Sequence, residues 1–259
     1  MGGIPIALGM YTVHKEVLAD MPGTFRKLAE MGYQGIEFYG EPSDYPADAV
    51  NDAIASSGLA LTSWHIEWRN LQKETISGTI SYLRAVGCKR AVVPCLGGKW
   101  NVAHTPDQER RALWEDYTVW LNAVALRLAE HGIAAGYHNH EHEFLIKYDG
   151  ERVFDILFQR LEPSVIMELD TGNAIEGGAD PADELMKYKG RPVLLHCKPY
   201  SDTYGFNVTL GAPADCNDWK AILAACRKDS LAFIVESESS VGTGLENARA
   251  CIEGLKKYL

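Results

Sequence analysis

Short apolar segments alternate along this chain with longer segments of helical periodicity. Near-continuous apolar segments are typical of strands that are buried on both faces of a parallel sheet. Polar or glycine-rich breaks separate them from stretches in which apolar residues recur with the spacing of one helix face. The predicted strands are residues 4–10, 35–39, 59–65, 90–95, 133–140, 165–170, 193–197 and 232–236.

The longer segments predict amphipathic helices between these strands. Two of them stop at a glycine, Gly32 and Gly132, and glycine is the residue type most common just past a helix C-terminus. A third begins at Pro181, directly after Asp180, which suits the first turn of a helix. The predicted helices with clear bounds are residues 18–31, 107–131, 219–227 and 246–258.

About eight strand–helix units in 259 residues predict an α/β fold, a closed (β/α)8 TIM barrel that forms a single domain over residues 1–259. We find no antiparallel hairpin signal such as Asn-Gly between the strands. An open, doubly wound parallel sheet is the alternative. The lack of Gly-x-Gly-x-x-Gly after the first strand argues against a dinucleotide-binding version of that fold.

The chain is acidic, with a formal net charge of -10 at pH 7. A nucleic-acid-binding protein needs a basic face, so the charge argues against that class. No apolar run approaches the roughly 18 residues of a membrane span. The six cysteines lack Cys-x-x-Cys spacing, which is typical of thiols in a reducing compartment. We therefore expect a cytoplasmic protein with a small-molecule partner, and leave open whether it is a homo-oligomer.

Acids, histidines and a lysine lie at or just after the C-terminal ends of the predicted strands. In a (β/α)8 barrel the C-terminal strand ends meet at the face that carries the active site. Burying such groups is costly unless they pair with one another or bind a metal ion. The fifth strand is the densest, with three histidines and two glutamates between residues 138 and 143. The candidates from all strand ends are Glu37, Trp64, His65, His138, His140, His142, Glu143, Glu168, Asp170, His196, Lys198, Glu236 and Glu238.

Three of these candidates suit a metal site. Asp170, His196 and Glu236, with one group from the fifth strand, form a carboxylate–imidazole set without thiolate. That set suits Mn, Mg, Co or Zn, and ligand type does not choose among them. Alternation along the fifth strand places His138 and His140 on one face. Glu143 lies beyond the strand and could fold back over its end.

Four motifs resemble those of xylose-isomerase-like TIM barrels, most closely the sugar phosphate isomerase/epimerase proteins. They are Tyr-His-Asn-His-x-x-Glu-Phe at 137–144, Leu-Asp-Thr-Gly-Asn-Ala at 169–174, His-x-Lys at 196–198 and Val-Glu-Ser at 235–237. Residues 32–37 also match the second-strand pattern of that family, so the resemblance covers nearly the whole chain. It is specific for the superfamily and poorly specific for substrate.

The resemblance implies one divalent metal ion held by acids and a histidine from strands five to eight, here Asp170, His196 and Glu236. Ketose epimerases of the superfamily have a glutamate where this sequence has His138. Either His138 replaces that ligand, or Glu143 does so and His138 or His140 is free for proton transfer; we favour Glu143. Asn173 is a further departure, since several relatives have a histidine there.

The implied reaction is isomerisation or epimerisation of a sugar, sugar phosphate or keto-sugar, by proton abstraction next to a carbonyl through a metal-stabilised ene-diolate. The predicted catalytic residues are Glu236, His138, His140 and Lys198. The predicted substrate-binding residues are His65, Trp64, Trp100 and Asn173.

Three other functions are alternatives. The same metal site could support a keto-sugar lyase or dehydratase. The superfamily also contains apurinic-site endonucleases, which the net charge disfavours. A non-catalytic sugar-binding barrel is the third, because a histidine replaces a metal-ligating glutamate at His138.

Overall fold

The computed structural model describes residues 3–96, 110–226 and 228–259, and its strands form one barrel and one small hairpin. The strands are β1 (Ile6–Gly9), β2 (Gly35–Tyr39), β3 (Ala60–His65), β4 (Arg90–Val93), β5 (Ala134–His138), β6 (Lys147–Tyr148), β7 (Glu151–Arg152), β8 (Ile166–Asp170), β9 (Val193–Cys197) and β10 (Ser230–Val235). Eight of them run parallel around a closed barrel in the order β1-β2-β3-β4-β5-β8-β9-β10. The pair β6–β7 is antiparallel.

Helices connect successive barrel strands. They are α1 (His14–Met31), α2 (Ala47–Ser57), α3 (Ile76–Ala85), α4 (Arg110–Ala129), α5 (His142–Leu145), α6 (Val153–Phe158), α7 (Thr171–Glu176), α8 (Pro181–Lys187), α9 (Trp219–Cys226) and α10 (Gly244–Lys256). Short 3-10 turns lie at Met10–Val13, Pro42–Asp44 and Trp68–Leu71. In the described ranges, no helix combines the length and the apolar character needed to cross a membrane.

The closed barrel confirms the predicted fold class. Each of the eight predicted apolar runs overlaps a barrel strand. Pairing between the first and last strands, in which Ile6 lies opposite Phe233 and Leu8 opposite Val235, decides against the open sheet. A strand buried between barrel interior and helix layer must be apolar on both faces, which is why the runs were recognisable.

Helix bounds agree less well with the predictions. The C-cap at Gly32 (φ 98°) and the start of α8 at Pro181 are confirmed. Helix α1 begins at His14 rather than at residue 18, and a break at Asp20 divides it. Asp20 accepts a hydrogen bond from the Gly23 amide at 2.9 Å, so it acts as an internal cap just before Pro22. The predicted start of the helix over 107–131 lies outside the described residues.

The hairpin corrects the expectation that the chain lacks an antiparallel hairpin signal. Its turn is Asp149-Gly150, and both residues have positive φ (52° and 83°). Asp-Gly is a strong two-residue turn signal for this reason. The hairpin follows α5 and lies outside the barrel sheet, so the barrel topology is unaffected.

The apolar core has two parts, separated by the barrel wall. Outward-facing strand residues pack with the helices in a large outer cluster. A small inner cluster fills the barrel: Ala7, Val92, Ile166, Leu194, Ala232 and Ile234. Since side chains alternate along a strand, the residues two positions further on also point inward. On β8, β9 and β10 those positions carry polar groups, which are described next.

Candidate active site

The polar floor of the barrel mouth stands directly above the inner apolar cluster. Glu168 follows Ile166 by two residues, as His196 follows Leu194 and Glu236 follows Ile234. On neighbouring strands Asp170 pairs with His196, and His138 pairs with Glu168. The side chains of this floor are Glu37, His65, His138, Glu168, Asp170, His196 and Glu236.

Asp170, His196 and Glu236 bring three ligand-type atoms together at this level. Nδ1 of His196 lies 3.2 Å from Oε2 of Glu236 and 3.8 Å from Oδ2 of Asp170. All three residues are buried, yet neither His196 Nδ1 nor Asp170 Oδ2 makes a hydrogen bond to a described residue. Buried polar atoms without a partner are rare and call for an explanation such as a bound ion. This donor set fits a divalent metal ion.

The charges of the group are also unbalanced. Burial raises the pKa of Asp170 to about 7; Lys198 opposes the rise and Glu236 adds to it. Burial would raise the pKa of Glu236 as well, but Lys198 and His196 hold it well below its usual range. Lys198 acts on both Asp170 and Glu236. A bound metal cation would favour the negatively charged form of both carboxylates.

Asp170 has its position fixed by a helix start. It ends β8 and is the N-cap of α7, where Oδ1 accepts a hydrogen bond from the Asn173 amide at 2.8 Å. Only Oδ2 therefore faces His196. The residue at position 172, in the first turn of α7, must be small, because a Cβ on Gly172 would lie 3.0 Å from the carbonyl oxygen of Lys198. The Asp-Thr-Gly-Asn motif is thus a helix cap that aims one carboxylate oxygen at the barrel axis.

His196 is oriented through its other nitrogen. Its Nε2 lies 2.6 Å from Oε1 of Glu37, which also accepts a hydrogen bond on Oε2 from Ser63. A metal-ligating histidine commonly donates its second N–H to a carboxylate in this way. Burial would raise the pKa of Glu37, but His65 and His196 lower it to about 2. Glu37 is therefore an anionic support for His196.

Glu168 is the centre of a second group. Its Oε1 lies 2.5 Å from His65 Nε2, 3.1 Å from His138 Nδ1 and 3.2 Å from His196 Nε2. Burial and the nearby Glu37 raise the pKa of Glu168 to about 7. Burial, reinforced by His196, lowers the pKa of His138 well below its usual value. These groups could also hold a metal ion, but their nitrogens already lie at hydrogen-bond distance from one oxygen.

Lys198 joins the acidic side of the floor. Its Nζ lies 2.5 Å from Oε1 of Glu238, 3.1 Å from Oδ1 of Asn173 and 3.5 Å from Oε1 of Glu236. The ammonium group also lies 4.2 Å from the centre of the Phe206 ring. Burial would lower the pKa of Lys198, but the surrounding acids raise it, so the side chain is a fixed cation.

Asn139 locks β5 against β8 from the side opposite to His138. Its Oδ1 accepts a hydrogen bond from the Asp170 amide at 2.9 Å, and its Nδ2 donates to the Asp170 carbonyl at 3.3 Å. Asn173 Nδ2 in turn donates to the Asn139 carbonyl at 3.1 Å. The sequence pattern does not indicate this role of Asn139, since only the tertiary structure reveals which backbone its side chain reaches.

Glu143 belongs to a different cluster of side chains from the predicted metal ligands Asp170, His196 and Glu236. Its Oε1 accepts hydrogen bonds from the Tyr137 hydroxyl and from His142 Nε2 (2.9 Å), and its Oε2 accepts one from the His140 amide at 2.7 Å. Glu143 is fully buried. A carboxylate with both oxygens used in this way holds the turn after β5, and it is grouped with His140 and His142 rather than with Asp170 and Glu236.

A cavity of about 270 Å³ opens above the floor. Its histidine side is formed by His65, His138 and His140, and Glu236 forms part of the opposite wall. The rings of His138 and His140 lie 5.0 Å apart, as strand alternation predicted. Burial lowers the pKa of His140 to about 4, so it is neutral near pH 7. The remaining lining residues are Tyr11, Tyr39, Gly40, Glu67, Pro94 and Glu238.

The predicted substrate-binding residues have mixed positions. His65 lines the cavity, and Asn173 is buried beside Lys198. Trp64 is fully buried in the outer core, stacked on Phe38 at 4.4 Å, with its Nε1 bonded to the Gly40 carbonyl. It points away from the mouth because it alternates with His65 along β3. Trp100 lies outside the described residues.

Comparison with known proteins identifies the family. A family model described as xylose isomerase-like TIM barrel matches residues 25–258. The chain belongs to this family. The match confirms the resemblance drawn from the sequence motifs and agrees with the closed eight-stranded barrel.

Two curated proteins are similar in sequence to this xylose isomerase-like chain. It is 27% identical over 206 residues to an inosose dehydratase of Geobacillus kaustophilus (strain HTA426), covering 74% of this chain and 63% of that protein. It is also 27% identical over 194 residues to the rhizopine catabolism protein MocC of Rhizobium meliloti, covering 66% of this chain and 55% of that protein. The alignments span less than two thirds of the length of either relative.

Solved structures of the family show the same fold. A sugar phosphate isomerase/epimerase from Parabacteroides distasonis ATCC 8503 superposes with a TM-score of 0.81 at 20% identity, over 98% of both chains. At this identity the likeness concerns the barrel architecture, not the substrate.

Proposed function

We propose that this protein is a divalent-metal-dependent enzyme that abstracts a proton next to the carbonyl of a sugar or keto-polyol. The product would be an isomer or epimer of the substrate. The observation that carries the proposal is the buried Asp170–His196–Glu236 group, in which two ligand atoms face each other without hydrogen bonds. Family membership and the names of the relatives support a sugar-modifying reaction.

The metal ion would be held by Asp170, His196 and Glu236, with its identity among Mn, Mg, Co and Zn open. When bound, such an ion supplies Lewis-acid polarisation of a substrate carbonyl or hydroxyl oxygen. The carboxylate of Glu143 is already used by three donors, so we do not propose it as a metal ligand. We assign no ligand to β5, which leaves His138 for proton transfer.

His138 is the proposed base. Its Nδ1 is 3.1 Å from the Glu168 carboxylate, so the tautomer with hydrogen on Nδ1 leaves Nε2 with a lone pair. Burial keeps the ring neutral near pH 7, which a base requires. His138 would take the proton from the carbon next to the carbonyl. The C–H electron pair would form the carbon–carbon double bond of the enolate, and the π pair of the carbonyl would move to its oxygen.

Lys198 and Glu236 would act on the opposite side of the reacting carbons. The Lys198 ammonium group is fixed by Glu238 and Asn173 and could stabilise the negative oxygen that proton abstraction creates. Glu236 lines the cavity on β10, well around the barrel from His138 on β5. A proton delivered from that side by the Lys198 ammonium group, which would regain a proton from solvent, would give inversion at the carbon, which is epimerisation.

His140, the residues that position it, and His65 are the remaining groups with a proposed role. His140 lines the cavity next to His138, and its backbone amide is anchored by Glu143. We assign Glu143, with Tyr137 and His142, the role of positioning His140. His65 would contact substrate from β3 while its Nε2 remains on Glu168.

Dehydration is the second candidate function. Loss of water from a keto-polyol needs the same proton abstraction, followed by protonation of a leaving hydroxyl group on a neighbouring carbon. His138 and His140 form an adjacent pair on one wall of the cavity, which suits removal and delivery of protons on a single face. The inosose dehydratase relative favours this candidate over other eliminations.

Two measurements test the proposal. Metal analysis of protein purified without chelator should give about one divalent ion per chain. Incubation in deuterium oxide with a panel of ketoses and keto-inositols should place deuterium next to the carbonyl of a substrate, and mass analysis separates exchange, epimerisation and loss of water. A protein that binds none of the four metals would contradict the metal mechanism; one that binds metal but exchanges no substrate proton would contradict the reaction.

A further inference from the structure

The backbone of Lys198 is fixed at the end of β9. Its amide donates a hydrogen bond to the Thr171 hydroxyl at 3.2 Å, and its carbonyl accepts hydrogen bonds from that hydroxyl at 2.9 Å and from Asn217 Nδ2 at 3.2 Å. These contacts position the Cα atom, but the four-carbon side chain beyond it still has several rotatable bonds. The direction of the ammonium group therefore depends on the groups around Nζ itself.

Those groups include an aromatic ring. Nζ of Lys198 donates hydrogen bonds to Glu238 Oε1 at 2.5 Å and to Asn173 Oδ1 at 3.1 Å, which use two of its three hydrogens. The centre of the Phe206 ring lies 4.2 Å from Nζ, within the roughly 6 Å over which a ring face attracts a cation. The Lys198 side chain is only 3% exposed, and such contacts are strongest where water is excluded.

The Phe206 ring is held in place by contacts of its own. A Cβ on Gly172 would lie 3.2 Å from Phe206 Cε1, so the ring packs directly on the first turn of α7. The turn before Phe206 is closed by two backbone hydrogen bonds between Ser201 and Gly205, at 2.8 and 2.9 Å. Tyr200 packs edge-on against the ring, with ring centres 5.3 Å apart. None of these contacts involves a proposed metal ligand.

Phe206 does not serve the apolar core. Among the described residues, neither the outer nor the inner apolar cluster includes it. The ring is half-buried on the loop between β9 and α9, and it faces a buried cation. A leucine at this position would therefore remove the contact with Lys198 without opening a cavity in the core.

We propose that Phe206 is a positioning residue, whose ring holds the Lys198 ammonium group where it meets the negative charge created by proton abstraction. This inference rests on the proposed function and adds a residue to it. Without the ring, water would solvate the ammonium group and the side chain would be less confined. A cation that is both more hydrated and less fixed stabilises an anionic transition state less well.

The first test measures deuterium exchange into a substrate of the wild-type protein. In Phe206→Leu we expect kcat to fall by roughly 3- to 30-fold, the range that corresponds to one cation–π contact. KM should change by less than about twofold, because the contact acts on charge that forms only in the transition state. Phe206→Tyr keeps the ring and should restore kcat to within about twofold of the wild-type value. Metal content should be the same in all three proteins.

Tyr204→Leu is the matched control. Tyr204 lies on the same loop and is 59% exposed, so this variant makes the same kind of change away from Lys198. It should leave kcat and KM at their wild-type values. A loss of kcat equal to that of Phe206→Leu would mean that the loop as a whole is responsible and would overturn the inference.

A double-mutant cycle tests whether Phe206 acts through Lys198. In the Lys198→Met background, Phe206→Leu should cause no further loss of kcat, because the group on which the ring acts is gone. An equal loss with and without the lysine would overturn the inference, as would a Phe206→Leu variant with wild-type kcat. A wild-type protein that exchanges no substrate proton would instead contradict the proposed function.

Nuclear magnetic resonance gives a readout that does not depend on turnover. In zinc-loaded protein labelled at its lysine side-chain nitrogens, the ammonium protons of Lys198 should be shifted upfield by the ring and should exchange slowly with water. Their signal is assigned by its absence in Lys198→Met. The shift should be lost in Phe206→Leu and kept in Phe206→Tyr and Tyr204→Leu. A wild-type signal at the ordinary lysine position, or one that Phe206→Leu leaves unchanged, would overturn the inference.

Discussion

Two clusters of buried charge in this molecule have opposite hydrogen-bonding patterns. In the first, Arg152, Lys187 and Tyr188 satisfy both oxygens of Asp155, and Arg152 satisfies both oxygens of Glu184. In the second, at the barrel mouth, Glu168 Oε2, Asp170 Oδ2 and His196 Nδ1 make no hydrogen bond to a described residue.

Under the proposed function, this difference separates charge that stabilises the fold from charge that is arranged for a metal ion. The Asp155 cluster ties α6 to α8, and a complete set of partners offsets the desolvation of its charges. The mouth cluster leaves ligand atoms open at the cost of stability, as functional sites commonly do. Substitutions in the two clusters should therefore change different properties.

The largest expected effect comes from Asp170→Asn. An asparagine keeps the oxygen that caps α7 but removes the negative charge, so the fold should persist while metal content falls to near zero. Without metal, exchange activity should fall by about 10³-fold or more, in line with several kcal/mol of lost electrostatic stabilisation. Metal analysis and thermal unfolding of the same preparations check both statements. A variant that retains its metal would show that the ligand set is wrong.

The second effect concerns Glu143→Gln. If Glu143 positions His140, the variant should keep its metal and lose about 10- to 100-fold in kcat, the range seen when a supporting hydrogen bond is altered. Loss of metal would instead restore Glu143 as a ligand. Tyr137→Phe, which removes one donor to the same carboxylate, should give a smaller loss of kcat with the same metal content.

The third prediction is the reverse of the first, because stability should change while metal content and activity should not. Asp155→Asn should lower the free energy of unfolding by about 1–3 kcal/mol, since Arg152 and Lys187 lose their charged partner. Metal content and exchange activity should stay at the wild-type level. Urea unfolding followed by far-UV circular dichroism measures the loss. Reduced metal content in this variant would mean that the two clusters are coupled.

The smallest effect is a pH dependence of the same cluster. Burial opposes ionisation of Asp155, but hydrogen bonds from Arg152, Lys187 and Tyr188 lower its pKa to about 2, below an unfolded value of about 3.9. Its contribution is therefore complete above about pH 4 and is lost as the pH falls towards 2. The gap in stability between wild type and Asp155→Asn should shrink by about 1–2 kcal/mol over that interval, allowing for solvent screening. A gap that stays constant would contradict this assignment.

Some of the active-site region was predictable from the sequence, because strand alternation and the polarity of strand ends are local properties. Asp170, His196 and Glu236 each follow a recognisable apolar run, and the closed barrel brings them together. The shared orientation of His138 and His140 followed from alternation alone. The Asp149-Gly150 hairpin was equally visible as a turn signal and was overlooked.

Other features depended on which atoms the folded chain brings into contact. Glu143 was a reasonable ligand by residue type, but Tyr137, His142 and the His140 amide engage its carboxylate. Trp64 lies near the C-terminal end of β3, where ligand-binding residues of barrels are found. Its side chain nevertheless points into the outer core, because side chains alternate along the strand. Asn139 gained its role from the backbone of Asp170, 31 residues away.

The sequence by itself determined the barrel, the ring of polar strand ends and the family, because periodicity and motif order are written along the chain. The tertiary structure alone decided which oxygen or nitrogen of each side chain is satisfied and which is left for a ligand. That choice depends on distances between side chains from different strands, and barrel closure sets those distances.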